Sequence, residues 1–337
     1  MFDIDAKTRS TLETQFKNLG SNDTKAYEAS AAVIANSIQV PIREVILSGD
    51  ILNGIFTPHD FRTNPHVIFP TDLLTPGQER EFYAYTIPDH GRIPERRVES
   101  DYIMVPTYQI GNSIDAVLKY VRDANWSVIT RMMQVFEAGV VKKMNDDGWQ
   151  TIVAAATDRN VIVNDPNAAQ GQFTARLITL LSTYMRRNGG GNSASLNRCK
   201  LTDLYLSPEA HMDIRAWTLD QIPDAVRANI YYAQDGSTDL VKIFGVNLHA
   251  FDEFGVGQEY QNYFTNTLGG SLTSFNDLEI CVALDLSRSD VFAMPIREDF
   301  QVYPDPTTHR RGLVSFYGRG EFGYAVTDSR RTLLGSL

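Results

Sequence analysis

Two runs of strand composition, Phe82-Tyr83-Ala84-Tyr85-Thr86-Ile87 and Tyr102-Ile103-Met104-Val105, are separated by the polar stretch Pro88 to Asp101. Aromatic and β-branched residues favour a pleated, half-buried chain. The connector is too long for a tight turn, so the pair predicts a long hairpin whose tip stands clear of any core. A two-stranded hairpin by itself is marginal in water. A chain that carries one needs a surface to lay it on, and that requirement constrains this sequence more than any other feature.

The chain leading to the hairpin offers little support for it. Residues 5 to 38 read as two helices, Ala6 to Leu19 and then a segment capped by Asp23 or Thr24 that runs to about Ser37. Both are short for independent stability. Residues 39 to 81 read as irregular, punctuated by Pro41, Pro58, Pro65, Pro70 and Pro76, with two short apolar contact segments, Val45-Ile46-Leu47 and Val67-Ile68-Phe69. So long a stretch with little regular structure is unusual inside one compact domain. It reads as chain travelling across a surface.

Beyond the hairpin the pattern becomes that of a folded body. Apolar residues recur at helical spacing from about Ile114 to Ala156, among them Val117, Val121, Ala124, Val128, Met132, Val135, Phe136, Val140 and Met144. Asn125 is placed to cap a longer second helix. Asn145-Asp146-Asp147-Gly148 reads as an interruption, after which Trp149 to Ala156 resumes. A polar link, residues 157 to 170, precedes a helix from Gln172 to Arg187 with Leu177, Leu180, Leu181 and Tyr184 on one face; the glycines after Asn188 end it. Strands and a helix then alternate: Leu201 to Leu206, a helix opened by Ser207-Pro208-Glu209 and running to about Trp217, and strands at Val241 to Phe251, Leu278 to Leu284, Val291 to Met294 and Phe300 to Tyr303. Pro304-Asp305-Pro306 turns the chain, and Leu313 to Val326 reads as a closing strand whose glycines at 318, 320 and 323 permit bends or bulges. The class is α+β.

No catalytic motif emerges. There is no GxSxG elbow, no HExxH and no phosphate loop, and the glycines at 189–191 follow a helix rather than a strand. His59 and His309 read as exposed loop histidines. Asp146-Asp147 reads as a solvated helix end, since the twelve-residue calcium-loop pattern is absent. Tyr231-Tyr232, Tyr260, Tyr263 and Phe264 lack basic neighbours, so packing is favoured over base stacking. Cys199 and Cys281 read as free thiols. The net charge of -10 argues against a protein that grips phosphates. No apolar run approaches the roughly 20 residues of a membrane span. No cofactor, metal or membrane partner is expected.

The order of elements resembles the Hong Kong 97-type major capsid protein of tailed phages, from about residue 40 to 337. Tyr108-Gln109-Ile110-Gly111-Asn112-Ser113-Ile114 is similar to that family's strand entering the spine region, and Leu204-Tyr205-Leu206-Ser207-Pro208 to its strand-then-capped-helix step. Ile243-Phe244-Gly245-Val246 is similar to another of its strands, without that strand's proline. Ser287-Arg288-Ser289-Asp290-Val291 and Gly323-Tyr324-Ala325-Val326-Thr327-Asp328 resemble its closing strands.

The resemblance implies an N-terminal arm (1–57), an extended loop (58–110, hairpin tip about 88–98), a peripheral domain with a spine helix (111–200), an axial domain (201–295) and peripheral return strands (296–337). It implies copies of the chain as partners in pentamers and hexamers, with scaffolding, portal and cement proteins, and packaged double-stranded DNA held without sequence specificity. The place is the virion, after assembly in a host cytoplasm; a chain that keeps its start favours a separate scaffolding protein. Arg92, Arg96 and Arg97 at the hairpin tip would face acids on a neighbouring subunit, where a planar guanidinium fork suits bidentate pairing. Some family members link this loop covalently through a lysine. No lysine occurs between Lys25 and Lys119, so a non-covalent shell is expected. Two other readings stay open: an encapsulin-like compartment holding a cargo enzyme, and an enzyme whose site carries no motif.

Overall fold

The computed structural model describes residues 51–63, 66–70, 102–117, 126–158, 161–188, 199–217, 242–272 and 278–337, with positions 30 and 119. In chain order the first elements are α1 (Ile51–Ile55), β1 (Thr57–Asp60), β2 (Ile68–Pro70), β3 (Tyr102–Met104), β4 (Tyr108–Val117), α2 (Trp126–Asp158), β5 (Ile162–Val163) and α3 (Ala175–Asn188). Then come β6 (Asp203–Leu206), α4 (Pro208–Ala216), β7 (Lys242–Ile243), β8 (Val246–Ala250), α5 (Glu259–Asn262) with a π-helical turn Tyr263–Thr267, and β9 (Ile280–Leu284). The chain closes with β10 (Phe292–Asp305), a 3-10 stretch Pro306–Arg311, β11 (Leu313–Phe322), β12 (Ala325–Val326), a 3-10 turn Ser329–Arg331 and β13 (Thr332–Ser336). The α+β class holds.

The chain divides into two compact units, one of Met1–Val67, Met104–Gly148 and Met294–Tyr324, the other of Ile68–Ile103, Trp149–Ala293 and Ala325–Leu337. In the first, strands run in the order β1-β10-β11-β4. β11 and β4 pair antiparallel without a break from Leu313↔Val117 to Phe322↔Tyr108. Ile114 to Val117, read as the start of a helix, therefore belongs to a strand. Ile110 and Ala116 face inward there at even spacing, a period-2 burial that the helical template had absorbed.

The β10–β11 register is irregular opposite Gly320, and Gly318 serves packing. A Cβ on Gly318 would lie 2.4 Å from the ring of Phe300 and 2.8 Å from that of Phe136. The bare backbone makes room for those two rings, which meet edge-on at 6.0 Å. The chain does break at Gly323, so the closing strand is two, β11 and β12. Conversely, the two strands expected at Val291 to Met294 and Phe300 to Tyr303 are one, β10, whose irregular register between Ile296 and Gln301 absorbs the charged middle. The expected irregular stretch contains α1 and β1. β1 lies on the edge of the sheet, and just beyond it Phe61 N–H donates to Ile296 O at 2.9 Å and Arg62 pairs with Asp299 at 2.7 Å.

α2 is a single helix from Trp126 to Asp158, uninterrupted at Asn145-Asp146-Asp147-Gly148. Gly148 would put a Cβ 2.6 Å from Leu52, so the residue read as a helix stop is a close approach between α2 and α1. Asp147 pairs with Lys143 one turn back at 2.6 Å. Phe136, Val140 and Met144 are buried as expected, but Val135 faces solvent.

In the second unit the sheet order is β5-β13-β9-β6-β8-β7. β6 and β8 pair parallel, as do β5 and β13; the other pairs are antiparallel. Every residue of β6, β9 and β13 is buried, as befits strands covered on both faces. Leu204 and Leu206 join Leu177, Ile178 and Leu181 of α3 and Ala210 and Ile214 of α4 in one core. Tyr205, pointing the other way along β6, packs on Trp149 at 4.8 Å, and Phe251, Phe254 and Tyr260 complete an aromatic cluster around that indole. α3 starts three residues later than expected, and Tyr184 is exposed while Met185 takes the inner position. α4 matches its local signal: Ser207 Oγ accepts from Ala210 N–H at 3.1 Å, Pro208 opens the helix and Trp217 caps it. The strand region Val241 to Phe251 is in fact an antiparallel pair, turning at Phe244-Gly245.

Candidate assembly surface

Of the expected hairpin, only Tyr102–Val105 falls among the described residues. Tyr102–Met104 pairs with Ile68–Pro70 as a separate two-stranded ribbon, and Val105 N–H donates to Val67 O at 3.0 Å. Phe82 to Ile87, the expected partner strand, lies outside the described residues, as do Arg92, Arg96 and Arg97. The two helices expected before residue 38 and the segment Val45-Ile46-Leu47 also lie there.

Alternation sets the chemistry of this ribbon. Val67, Phe69 and Val105 are buried. Ile68, Tyr102 and Met104 alternate with them and point to the opposite face, where Tyr102 is 66% and Met104 63% exposed. Both faces are therefore apolar, and only one is covered among the described residues. A sheet exposed to water on one face normally alternates apolar with polar; this one does not. Sequence reading placed a hairpin here but not the pairing of β2 with β3, because the two segments are far apart along the chain.

Other candidate groups resolve into structure. His59 lies within β1 and is half-buried rather than in an exposed loop. His309 lies in the 3-10 stretch after β10. Asp146 and Asp147 sit inside α2, half-buried, and burial together with a hydrogen bond to Asp147 raises the phenol pKa of Tyr108. Tyr260 and Phe264 are core residues, so no stacking platform forms there; Tyr231-Tyr232 falls outside the described residues. Burial pushes Cys199 up to about 11 and Cys281 up to about 12, which keeps both as unreactive thiols. Among the described residues no three His, Cys, Asp or Glu side chains gather as metal ligands, and no helix is long and apolar enough to cross a membrane.

No family model matches this chain, and no curated protein matches its sequence. Solved structures do match. A chain from Microbacterium phage Oxtober96 aligns over 84% of this chain and 88% of its own length, with a TM-score of 0.53 at 14% identity. A chain from Mycobacterium phage Bobi covers 87% of this chain and 89% of its own at TM-score 0.49 and 13% identity. The crystal structure of a virus-like particle from Pyrococcus furiosus covers 89% and 98% at TM-score 0.45 and 8% identity. The first of these carries the comparison, and at its low identity what is shared is the fold.

Proposed function

We propose that this chain, which has the Hong Kong 97-like phage capsid fold, is a major capsid protein whose copies assemble into a closed icosahedral shell around phage double-stranded DNA. The β2–β3 ribbon carries the reading. A short ribbon with apolar side chains on both faces costs free energy in a lone subunit, because burying Ile68, Tyr102 and Met104 would recover roughly 25 cal/mol for each Å² removed from water. A shell offers that cover once per subunit, from the next copy.

In this reading residues 1–57 are the arm, 58–110 the extended loop, 111–200 and 296–337 the peripheral domain, and 201–295 the axial domain. Arg92, Arg96 and Arg97 reach acidic side chains of a neighbour. Scaffolding, portal and cement proteins are the other partners, the DNA is held without sequence contacts, and the shell closes without a lysine cross-link in the loop. The protein acts by binding copies of itself rather than by catalysis.

Imaging of the purified full-length chain by negative stain tests this directly. Closed particles of uniform size are expected. A chain that stays monomeric at all concentrations and ionic strengths would sink the reading. Particles purified from infected cells that hold an enzyme instead of DNA would turn it to a cargo compartment.

A further inference from the structure

We infer that the outward face of α3 is a phosphate-binding surface, and that in the assembled shell it lines the inner wall against the backbone of the enclosed duplex. The inference rests on the shell reading above and assigns one of its partners to named residues.

Charge is spread unevenly along the chain. From Pro166 to Thr202 the sequence holds Arg176, Arg186, Arg187, Arg198 and Lys200 and no aspartate or glutamate. The carboxylates that give the chain its net charge of -10 lie wholly outside this stretch. α3 falls in the middle of it. Leu177, Ile178, Leu181 and Met185 on the inner side of the helix belong to the core of the second unit. Arg176, Thr179, Thr183, Tyr184, Arg186 and Arg187 are exposed. At 3.6 residues per turn Arg176, Thr183 and Arg187 fall in one line along the helix, with Tyr184 and Arg186 flanking it on opposite sides. Roughly 16 Å of helix axis separates the first arginine from the last, the length of several phosphate steps of one DNA strand at about 3.4 Å each. The surface between them is low, because Thr179 and Thr183 turn their hydroxyls back to Ala175 O and Thr179 O at 3.3 and 2.8 Å.

The needs of the helix do not account for these cations. Its dipole favours a cation in the last turn, which one arginine would satisfy, and disfavours one in the first, where Arg176 stands. Asp165 offsets Arg176 at 3.6 Å and also accepts from Thr174 Oγ at 2.7 Å, while the guanidinium stays half exposed. Arg186 and Arg187 have no ion-pair partner among the described residues. Protein interfaces are centred on apolar and aromatic anchors, and Tyr184 is the one large apolar side chain exposed on α3. Arginine and tyrosine both serve as phosphate contacts. An enclosed duplex offers phosphates to every copy at once, so a contact that is weak in one subunit gains from repetition around the wall.

Fluorescence anisotropy of a labelled duplex of about 30 base pairs, titrated with unassembled full-length subunits across a salt series, tests this. Arg186→Gln with Arg187→Gln should weaken binding more than tenfold at about 50 mM salt and lower the slope of log K against log salt by about two, one for each lost phosphate contact. Changing the same pair to lysine should keep the slope, and both variants should melt with the parent. Closed empty particles should bind none of the added duplex, since the face is then inside. If subunits bind no duplex at that salt, or the glutamine pair binds as the parent does, the inference fails while particles formed by the parent leave the shell reading standing. Polyglutamate competing as well as unlabelled duplex would overturn it in favour of an acidic protein partner. Closed particles that bind duplex as subunits do would overturn the inner-wall placement. A parent that forms no particles overturns the shell and the lining together, and the subunit titration still decides the phosphate contact.

Discussion

Arg331 and Asp285 form an ion pair sealed from solvent, Nη1 to Oδ2 at 2.5 Å, with side chains 1% and 0% exposed. Asp285 also accepts from the backbone N–H groups of Lys200 and Ser287 at 2.9 and 3.0 Å. Arg331 reaches Ser287 Oγ at 3.1 Å, and its Nε lies 3.7 Å from Asp328. The pair ties the start of β13 to the end of β9. Removing one partner strands a buried charge, so Arg331→Met should cost about 3–5 kcal/mol. Asp285→Ala should cost at least as much, because two backbone donors lose their acceptor as well. Chemical denaturation of unassembled subunits measures both.

Glu279 gives a pH signature. It is buried, and Ser207 Oγ donates to its Oε1 at 2.7 Å. Burial raises its pKa; the Ser207 bond opposes this, and the charges of Glu209 and Asp213 add to it. The folded state therefore holds this proton more tightly than the unfolded chain, where the ordinary value is 4.5. Stability from this group grows as pH falls from above the raised value toward 4.5, and is lost as pH rises through the raised value. Glu279→Gln should match the parent at low pH and exceed it near neutrality. Melting temperatures of the two, followed as a difference across pH, check the sign.

Trp149 should be the most sensitive aromatic position. It is fully buried among Tyr205, Phe251, Phe254 and Tyr260. Trp149→Ala should cost about 3–5 kcal/mol. Trp149→Phe keeps much of the volume and should cost less than about half of that. Near-ultraviolet circular dichroism should lose the Trp149 share of its indole bands in both, the buried Trp217 keeping its own, while far-ultraviolet spectra stay unchanged in the phenylalanine variant.

The ribbon separates folding from assembly. Ile68→Thr, Tyr102→Thr and Met104→Thr together replace exposed apolar groups with a residue that keeps strand propensity. Subunit stability should move by no more than about 0.5 kcal/mol per site. Particle formation should fail. Particles that form at the parent's concentration would mean the exposed face is not an assembly contact.

The arginine tip predicts a salt effect. Arg96→Glu with Arg97→Glu should weaken assembly most at low ionic strength, where screening is least, and light scattering across a salt series reads this out. Equal assembly at every salt concentration would leave the tip as a solvated turn.

The helix beginning Ser207-Pro208-Glu209 was legible to within a residue at both ends, because a cap, an N1 proline and a first-turn acid act within one turn of chain. Strands β6 and β9 were legible for the same reason, as short apolar runs between turn residues. Asn145-Asp146-Asp147-Gly148 misled: propensity there favours a stop, but Leu52 fills the space that the missing Cβ of Gly148 leaves. Ile114 misled because a few apolar residues fit either period, and β11, about two hundred residues later, decided between them. β13 gave no legible signal, yet it sits between β5 and β9 in the middle of its sheet.

The sequence by itself determined the class of fold, the capped helix and the absence of local catalytic signatures. Only the tertiary structure decided that β3 pairs with β2, that Gly318 makes room for Phe300, and that Phe244 stands exposed at positive φ. Caps and turns are settled by neighbours a few bonds away. Register, ring packing and exposure depend on which distant segments arrive alongside, and no window along the chain contains both partners.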